Sequence, residues 1–218
     1  MTALLRYQGA LLLRSQHWLA PFAVYAAFVA IGVRPGDRTL DSLGYAAAGL
    51  VPLTAWLVRI CVTAEPPAAR ACAAAAAGPS RVRAAALLTG LGAALFTGVL
   101  AAAYTLLAGD LGGHAAGPAV LAGAGAVAVC ALTGAAVGAV WSPPLVAGRG
   151  FAVLGAAVCS LLAWVAPFSP ARAAVSVLIG AARAGAAEPA LSPAAPAGAL
   201  LLAGAAGAAA CLASARRG

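Results

Sequence analysis

The sequence predicts an all-α integral membrane protein. It has six transmembrane helices with both termini on the cytosolic side, an N-terminal interfacial helix, and a short cytosolic helix between spans two and three. Three observations lead there. Only 8% of the 218 residues are charged and 64% are hydrophobic. A soluble domain carries about 25% charged residues, so lipid must act as solvent for much of this surface. The uncharged runs recur at the length of a bilayer crossing, roughly 20 apolar residues. The positive charges, all arginine, are spread unevenly over the segments between those runs.

The elements follow in chain order, within a single domain, 1–218. Thr2 to His17 is helix-prone, with Leu4, Tyr7, Leu11 and Trp18 on one stripe and Arg6 and Arg14 beside it. It reads as an interfacial helix leading into the first span; the alternative is a first span that starts early. The spans are expected at about 18–33, 43–62, 84–108, 118–141, 151–168 and 197–215. The second is the least secure, because Arg59 lies near its end and must snorkel to the interface. The fourth run is too long for one helix and is trimmed by His114, Gly117 and Pro118 at its start and by Pro143-Pro144 at its end.

Orientation rests on the arginines. With the N-terminus inside, Arg6, Arg14, Arg59, Arg70, Arg81, Arg83, Arg149, Arg216 and Arg217 are cytosolic, nine of the 13, and Arg34, Arg38, Arg172 and Arg183 lie outside. Of the acids only Glu65 falls inside. The first apolar run is a full span without a cleavage site before a soluble domain, so no cleaved signal peptide is expected. Abundant Ala and Gly with no lysine suggests a GC-rich bacterial genome.

Between spans two and three the chain reads TAEPPAARACAAAAAGPSRVRAAALLTG, Thr63 to Gly90. Thr63 can cap a helix, Glu65 suits its positive end, and Pro66-Pro67 fit the first turn. Ala68 to Ala77 is strong helix former, ended by Gly78-Pro79. Ser80 can cap the next helix. So short a helix lacks the apolar area to stand alone in water, so a partner or the membrane surface must hold it. The plainer alternative is a hairpin loop carrying positive-inside arginines. A third irregular segment, Ser169 to Pro196, lies outside. Ser169 can cap, Pro170 fits a first turn, and Val175, Leu178, Ile179 and Ala182 make an apolar stripe. This is a helix lying in or dipping into the outer interface, or else a loop without fixed structure.

Catalytic and metal chemistry finds little footing. There is no phosphate-binding Gly-x-x-x-x-Gly-Lys-Ser/Thr loop and no lysine to serve one. The Gly123-Ala124-Gly125 run lies inside an apolar span. His17 and His114 lack carboxylate or cysteine neighbours at ligand spacing. Cys61, Cys72, Cys130, Cys159 and Cys211 are scattered and read as small apolar residues. No acid lies deep in a span, which argues against a proton- or sodium-driven carrier. An intramembrane serine protease would need a better setting than Ser160 or Ser176 provides. Gly134 and Gly138 form a GxxxG pattern, and Gly90, Gly92 and Gly98 thin span three. Thr97, Tyr104 and Thr105 are placed on one face of span three, either lining a substrate path or bonding to their own helix.

This layout, and above all AEPPAARACAAAAAGPSRVRAAALL, resembles the permease subunit of bacterial ABC exporters with six-span subunits and separate ATPases. The resemblance covers nearly the whole chain but rests on no sharp motif. It implies a non-enzymatic transport subunit in the bacterial inner membrane that forms the substrate path. ATP and Mg would be bound only by partner ATPase subunits, and a second permease copy or homologue would complete the complex. It implies no nucleic-acid partner. It also implies that the loop between spans two and three is a coupling helix resting on the ATPase, with Glu65, Arg70, Ala74, Arg81 and Arg83 in the coupling element. The alternative is an integral membrane scaffold or accessory subunit without a transport path.

Overall fold

The computed structural model describes residues 1–112, 116–143, 145–146, 148–185 and 192–216, together with the backbone alone of Arg149. Nine α-helices and no strand occur among the described residues: α1 Thr2–Ser15, α2 Leu19–Gly32, α3 Thr39–Thr63, α4 Pro67–Ala77, α5 Pro79–Ala108, α6 Ala116–Val140, α7 Arg149–Val165, α8 Pro170–Ala184 and α9 Ala194–Ala215. Four of them, α3, α5, α6 and α9, are long and apolar enough to cross a membrane. α7 and α8 qualify together as one span bent by 45°, and α2 is apolar but shorter. These helices fit a multi-pass membrane protein.

The N-terminal helix is separate from the first apolar helix. The chain breaks at Gln16, whose backbone is left-handed with φ 55°. The first apolar helix starts at Leu19 and does not run on from α1. The face α1 buries differs from the expected stripe: Gln8 and Leu12 are buried, whereas Tyr7 is 40% exposed. Leu12 joins a cluster with Val58, Cys61, Val62 and Ala86, so docking on α3 and α5 decides which face turns inward.

α3, the least secure span from sequence, is the centre of the bundle. Its fully buried residues include Leu50, Val51, Thr54 and Val58. It packs mainly against α5 and α6, with α8 and α2 completing its surround. Close approach is made possible by glycine. A Cβ on Gly134 would lie 2.4 Å from the Val51 carbonyl oxygen, and one on Gly138 2.9 Å from that of Ala55. On the other side, a Cβ on Gly90 would meet the Val58 Cα at 2.8 Å. The GxxxG pattern is therefore the α3–α6 contact, as small faces allow. Gly92 faces open space. Arg59 sits at the end of α3 and its Nη1 donates to the Trp141 carbonyl at 2.8 Å, one of the carbonyls a helix end leaves unpaired.

Several boundaries move outward. α3 begins at Thr39, because Asp41 ends an uncharged run without ending a helix and suits a first turn. α5 begins at Pro79, and α6 and α9 take Pro118 and Pro196 into their opening turns, where the missing N–H is no loss. α7, where the fifth span is expected, stops at Val165, before Pro167, short of the expected 168. Pro170 opens α8 as expected, but Ser169, at the position before it, makes no side-chain capping bond, and its hydroxyl is buried without a partner. α8 buries Ala171, Ala174, Leu178 and Ala182 against α3, α6 and α9. It is an integral part of the bundle, with Arg172 and Arg183 on its exposed side.

Backbone ties gather the helix ends into two groups. At one end, Gly36 N–H donates to Ala108 O at 3.0 Å, Asp110 N–H to Asp37 O at 2.8 Å and Thr39 N–H to Asp110 O at 3.1 Å. Arg38 Nη1 adds a bond to Ala182 O at 2.7 Å. At the other end lie α1, the end of α3, α4, the start of α5 and the ends of α6 and α9. Arg83 Nη1 donates to Pro143 O there, and Cys211 Sγ lies 3.7 Å from Ser80 O. Successive apolar elements run alternately between these ends.

Candidate functional site

The α4 end holds every residue of the expected coupling element. Local sequence explains most of its shape. Pro66 is extended and Pro67 opens α4; Gly78, with φ 87°, closes it and at once opens α5. A left-handed backbone there needs a glycine. Ser80 consequently lies inside the first turn of α5 and does not cap it. Thr63 does not cap α4 either. It is the last residue of α3, and its hydroxyl donates back to Arg59 O at 2.8 Å.

Glu65 departs most from expectation. It lies outside α4, is only 4% exposed, and turns under α1. Tyr7 Oη donates to its Oε1 at 2.9 Å, and Gln8 Nε2 lies 3.5 Å from Oε2. The hydrogen bond to this carboxylate, then partial burial and the carboxylate's charge, push the Tyr7 phenol above its ordinary value. Arg70 Nη2 donates to the Glu65 backbone carbonyl at 2.8 Å and so ties the first turns of α4 to the end of α3. Arg83 is 8% exposed, while Arg81 is exposed and Ala74 half-buried. Glu65 and Arg83 thus serve the interior of this end. Arg81 and the outer face of α4, formed by Ala68, Cys72, Ala75 and Ala76, meet the surroundings. α4 has no buried residue at all.

Beneath α4 lies a cavity of about 380 Å³ lined by Gln8, Glu65, Arg70, Ala74, Arg83 and Ser214, among others. Sequence reasoning missed Tyr7, Gln8 and Ser214, which lie far from the island along the chain. The one legible hint was that Glu65 is the sole acid in the segments expected to be cytosolic.

The three residues read as a possible path do not act together. Thr97 and Tyr104 line a groove of about 310 Å³ between α2 and α5 with Phe22, Tyr25 and Leu100. Thr105 is fully buried and does not line that groove. It stands one position, about 100° around the helix, from Tyr104. Both threonines bond to their own helix, Thr97 to Ala93 O at 2.9 Å and Thr105 to Ala102 O at 2.8 Å. Tyr25 is likewise engaged with Ala46 O at 2.9 Å.

Among the described residues no group of three His, Cys, Asp or Glu side chains is placed to hold a metal. His17 is exposed between α1 and α2, and His114 lies outside the described residues. Cys61 and Cys130 are buried, and Trp141 Nε1 lies 3.1 Å from Cys159 Sγ.

No protein-family model, curated protein or solved structure matches the chain.

Proposed function

We propose that the chain is the membrane-spanning permease subunit of an ATP-driven exporter in a bacterial inner membrane, powered by separate ATPase subunits. The observation that carries this reading is α4: a helix of 11 residues that buries none of them, yet is fixed at both ends. Pro66-Pro67 and the Arg70–Glu65 tie hold its start, and Gly78 joins it directly to α5, a 30-residue helix. A push on α4 is thereby passed to two long helices at once. Its outer face of small side chains suits close seating on a partner.

In this reading α2, α3, α5, α6, the bent α7–α8 pair and α9 are six crossings, with α4 and both termini cytosolic. At 14 residues α2 is about 21 Å long, so local thinning or flanking residues complete its crossing. Arg59, Arg70, Arg81 and Arg83 collect at the α4 end, in keeping with a cytosolic placement. The chain itself performs no catalysis; ATP and Mg belong to the partner. A second permease copy or homologue completes the complex, and no nucleic acid is bound.

The scaffold reading draws on one observation: the α2–α5 groove offers few polar groups, and two of them, Thr97 and Tyr25, are already engaged. Purification from native membranes separates the two readings. A permease co-purifies with an ATPase whose hydrolysis depends on it. A scaffold leaves hydrolysis unchanged when removed.

A further inference from the structure

Arg83 is the least satisfied charge in the described structure. Its side chain is 8% exposed, and only Nη1 has a partner, the Pro143 carbonyl. Nε and Nη2 are buried without a hydrogen-bond partner. These two N–H groups share one edge of the guanidinium, the edge that grips two oxygens of a phosphate or carboxylate in parallel. Buried cations left half-paired are costly, so such an edge calls for a counter-ion.

The cavity of about 380 Å³ lined by Arg83 is where one would sit. Arg70 and Ser214 line it too, and so does Gln8. The one carboxylate present, Glu65, has its oxygens turned to Tyr7 and Gln8. The positive end of α5 adds to the attraction for an anion. The volume exceeds that of a bare phosphate. The cavity lies where the chain leaves its apolar helices, at headgroup depth if α5 spans the bilayer.

We propose that this cavity binds a phosphate-bearing anion through the Nε–Nη2 edge of Arg83, supplied by an anionic lipid headgroup or by free phosphate. The site does not depend on the transport reading.

Native mass spectrometry of delipidated protein in detergent tests it, with phosphatidylglycerol, phosphatidylcholine or inorganic phosphate added. Wild type should retain one phosphatidylglycerol with roughly tenfold preference over phosphatidylcholine. Arg83→Gln should abolish that preference, and Arg81→Gln, on an exposed neighbour, should keep it. If inorganic phosphate alone raises the melting temperature of wild type and Arg81→Gln but not of Arg83→Gln, the source is free phosphate. Should Arg83→Gln fail to fold, Ser214→Asp places a competing carboxylate in the cavity wall and leaves both partners of the Arg83–Pro143 bond unchanged. It should weaken binding by roughly tenfold. The proposal is overturned if wild type shows neither lipid preference nor a phosphate response. It is also overturned if Arg81→Gln and Arg83→Gln weaken binding equally, or if Ser214→Asp leaves binding unchanged.

Discussion

Tyr7 and Glu65, 58 residues apart, are joined by a hydrogen bond of 2.9 Å that fastens the N-terminal helix to the junction of α3 and α4. Replacing Glu65 with Ala leaves Tyr7 and Gln8 without their acceptor. Losing a buried hydrogen-bonded acceptor costs about 1–3 kcal/mol. Hydrogen exchange over residues 2–15 should therefore quicken while α3 and α6 remain protected. Tyr7→Phe should have a smaller effect in the same measurement, because Tyr7 is 40% exposed.

The same bond sets a pH dependence. Its acceptor, partial burial and the Glu65 charge raise the Tyr7 phenol above its ordinary value, so the folded state favours the neutral hydroxyl. The contribution is complete below about pH 10 and is lost as pH rises through the elevated folded value. Protection of the α1 amides, measured against the base-catalysed intrinsic exchange rate, should stay constant up to that point, and exchange should then accelerate beyond the intrinsic rise. Tyr7→Phe should remove the tyrosine's share of that acceleration; an identical profile would remove Tyr7 from the account.

Helix packing makes a contrast between two glycines. Gly134→Ala drives a Cβ to 2.4 Å from the Val51 carbonyl oxygen, whereas Gly92→Ala enters open space. Overpacking costs about 1–3 kcal/mol, so Gly134→Ala should lower the melting temperature in detergent. Gly92→Ala should hold or raise it, since alanine is the better helix former. Equal behaviour of the two would contradict the α3–α6 contact.

How much of this was legible in the sequence depends on the range of the forces involved. The break at Gly78-Pro79 and the helix opening at Pro170 are local, and the residues state them directly; the stop at Val165 before Pro167 was overrun by a span expected to reach 168. The GxxxG of Gly134 and Gly138 was visible, but not that its partner is Val51 to Val58. Glu65 was misread because first-turn chemistry is local and plausible, while its actual partners arrive from α1. Thr105 parts from Tyr104 because one residue turns a helix through about 100°, enough to bury one and leave the other at the groove. The central place of α3 was hidden behind Arg59, whose charge is met by the Trp141 carbonyl at the end of another helix.

Sidedness has a native reporter. Cys72 is exposed on α4, and Cys61 and Cys130 are buried. An impermeant maleimide should label Cys72 in inverted vesicles and spare it in right-side-out ones. With Cys72 replaced by Ser, Arg34→Cys at the opposite end should show the reverse. Labelling of Cys72 from outside would invert the proposed orientation.

The coupling role of α4 is tested most directly by loosening that helix alone. Replacing Ala74, Ala75 and Ala76 with Gly costs the helix about 3 kcal/mol if the single costs add. The apolar helices keep their composition, so membrane levels should be normal. The measurement is ATPase co-purification together with ATP hydrolysis by the reconstituted complex. The account predicts that the triple-glycine variant loses both. Wild-type co-purification and hydrolysis in that variant would show that α4 has no coupling role, and would contradict the permease assignment.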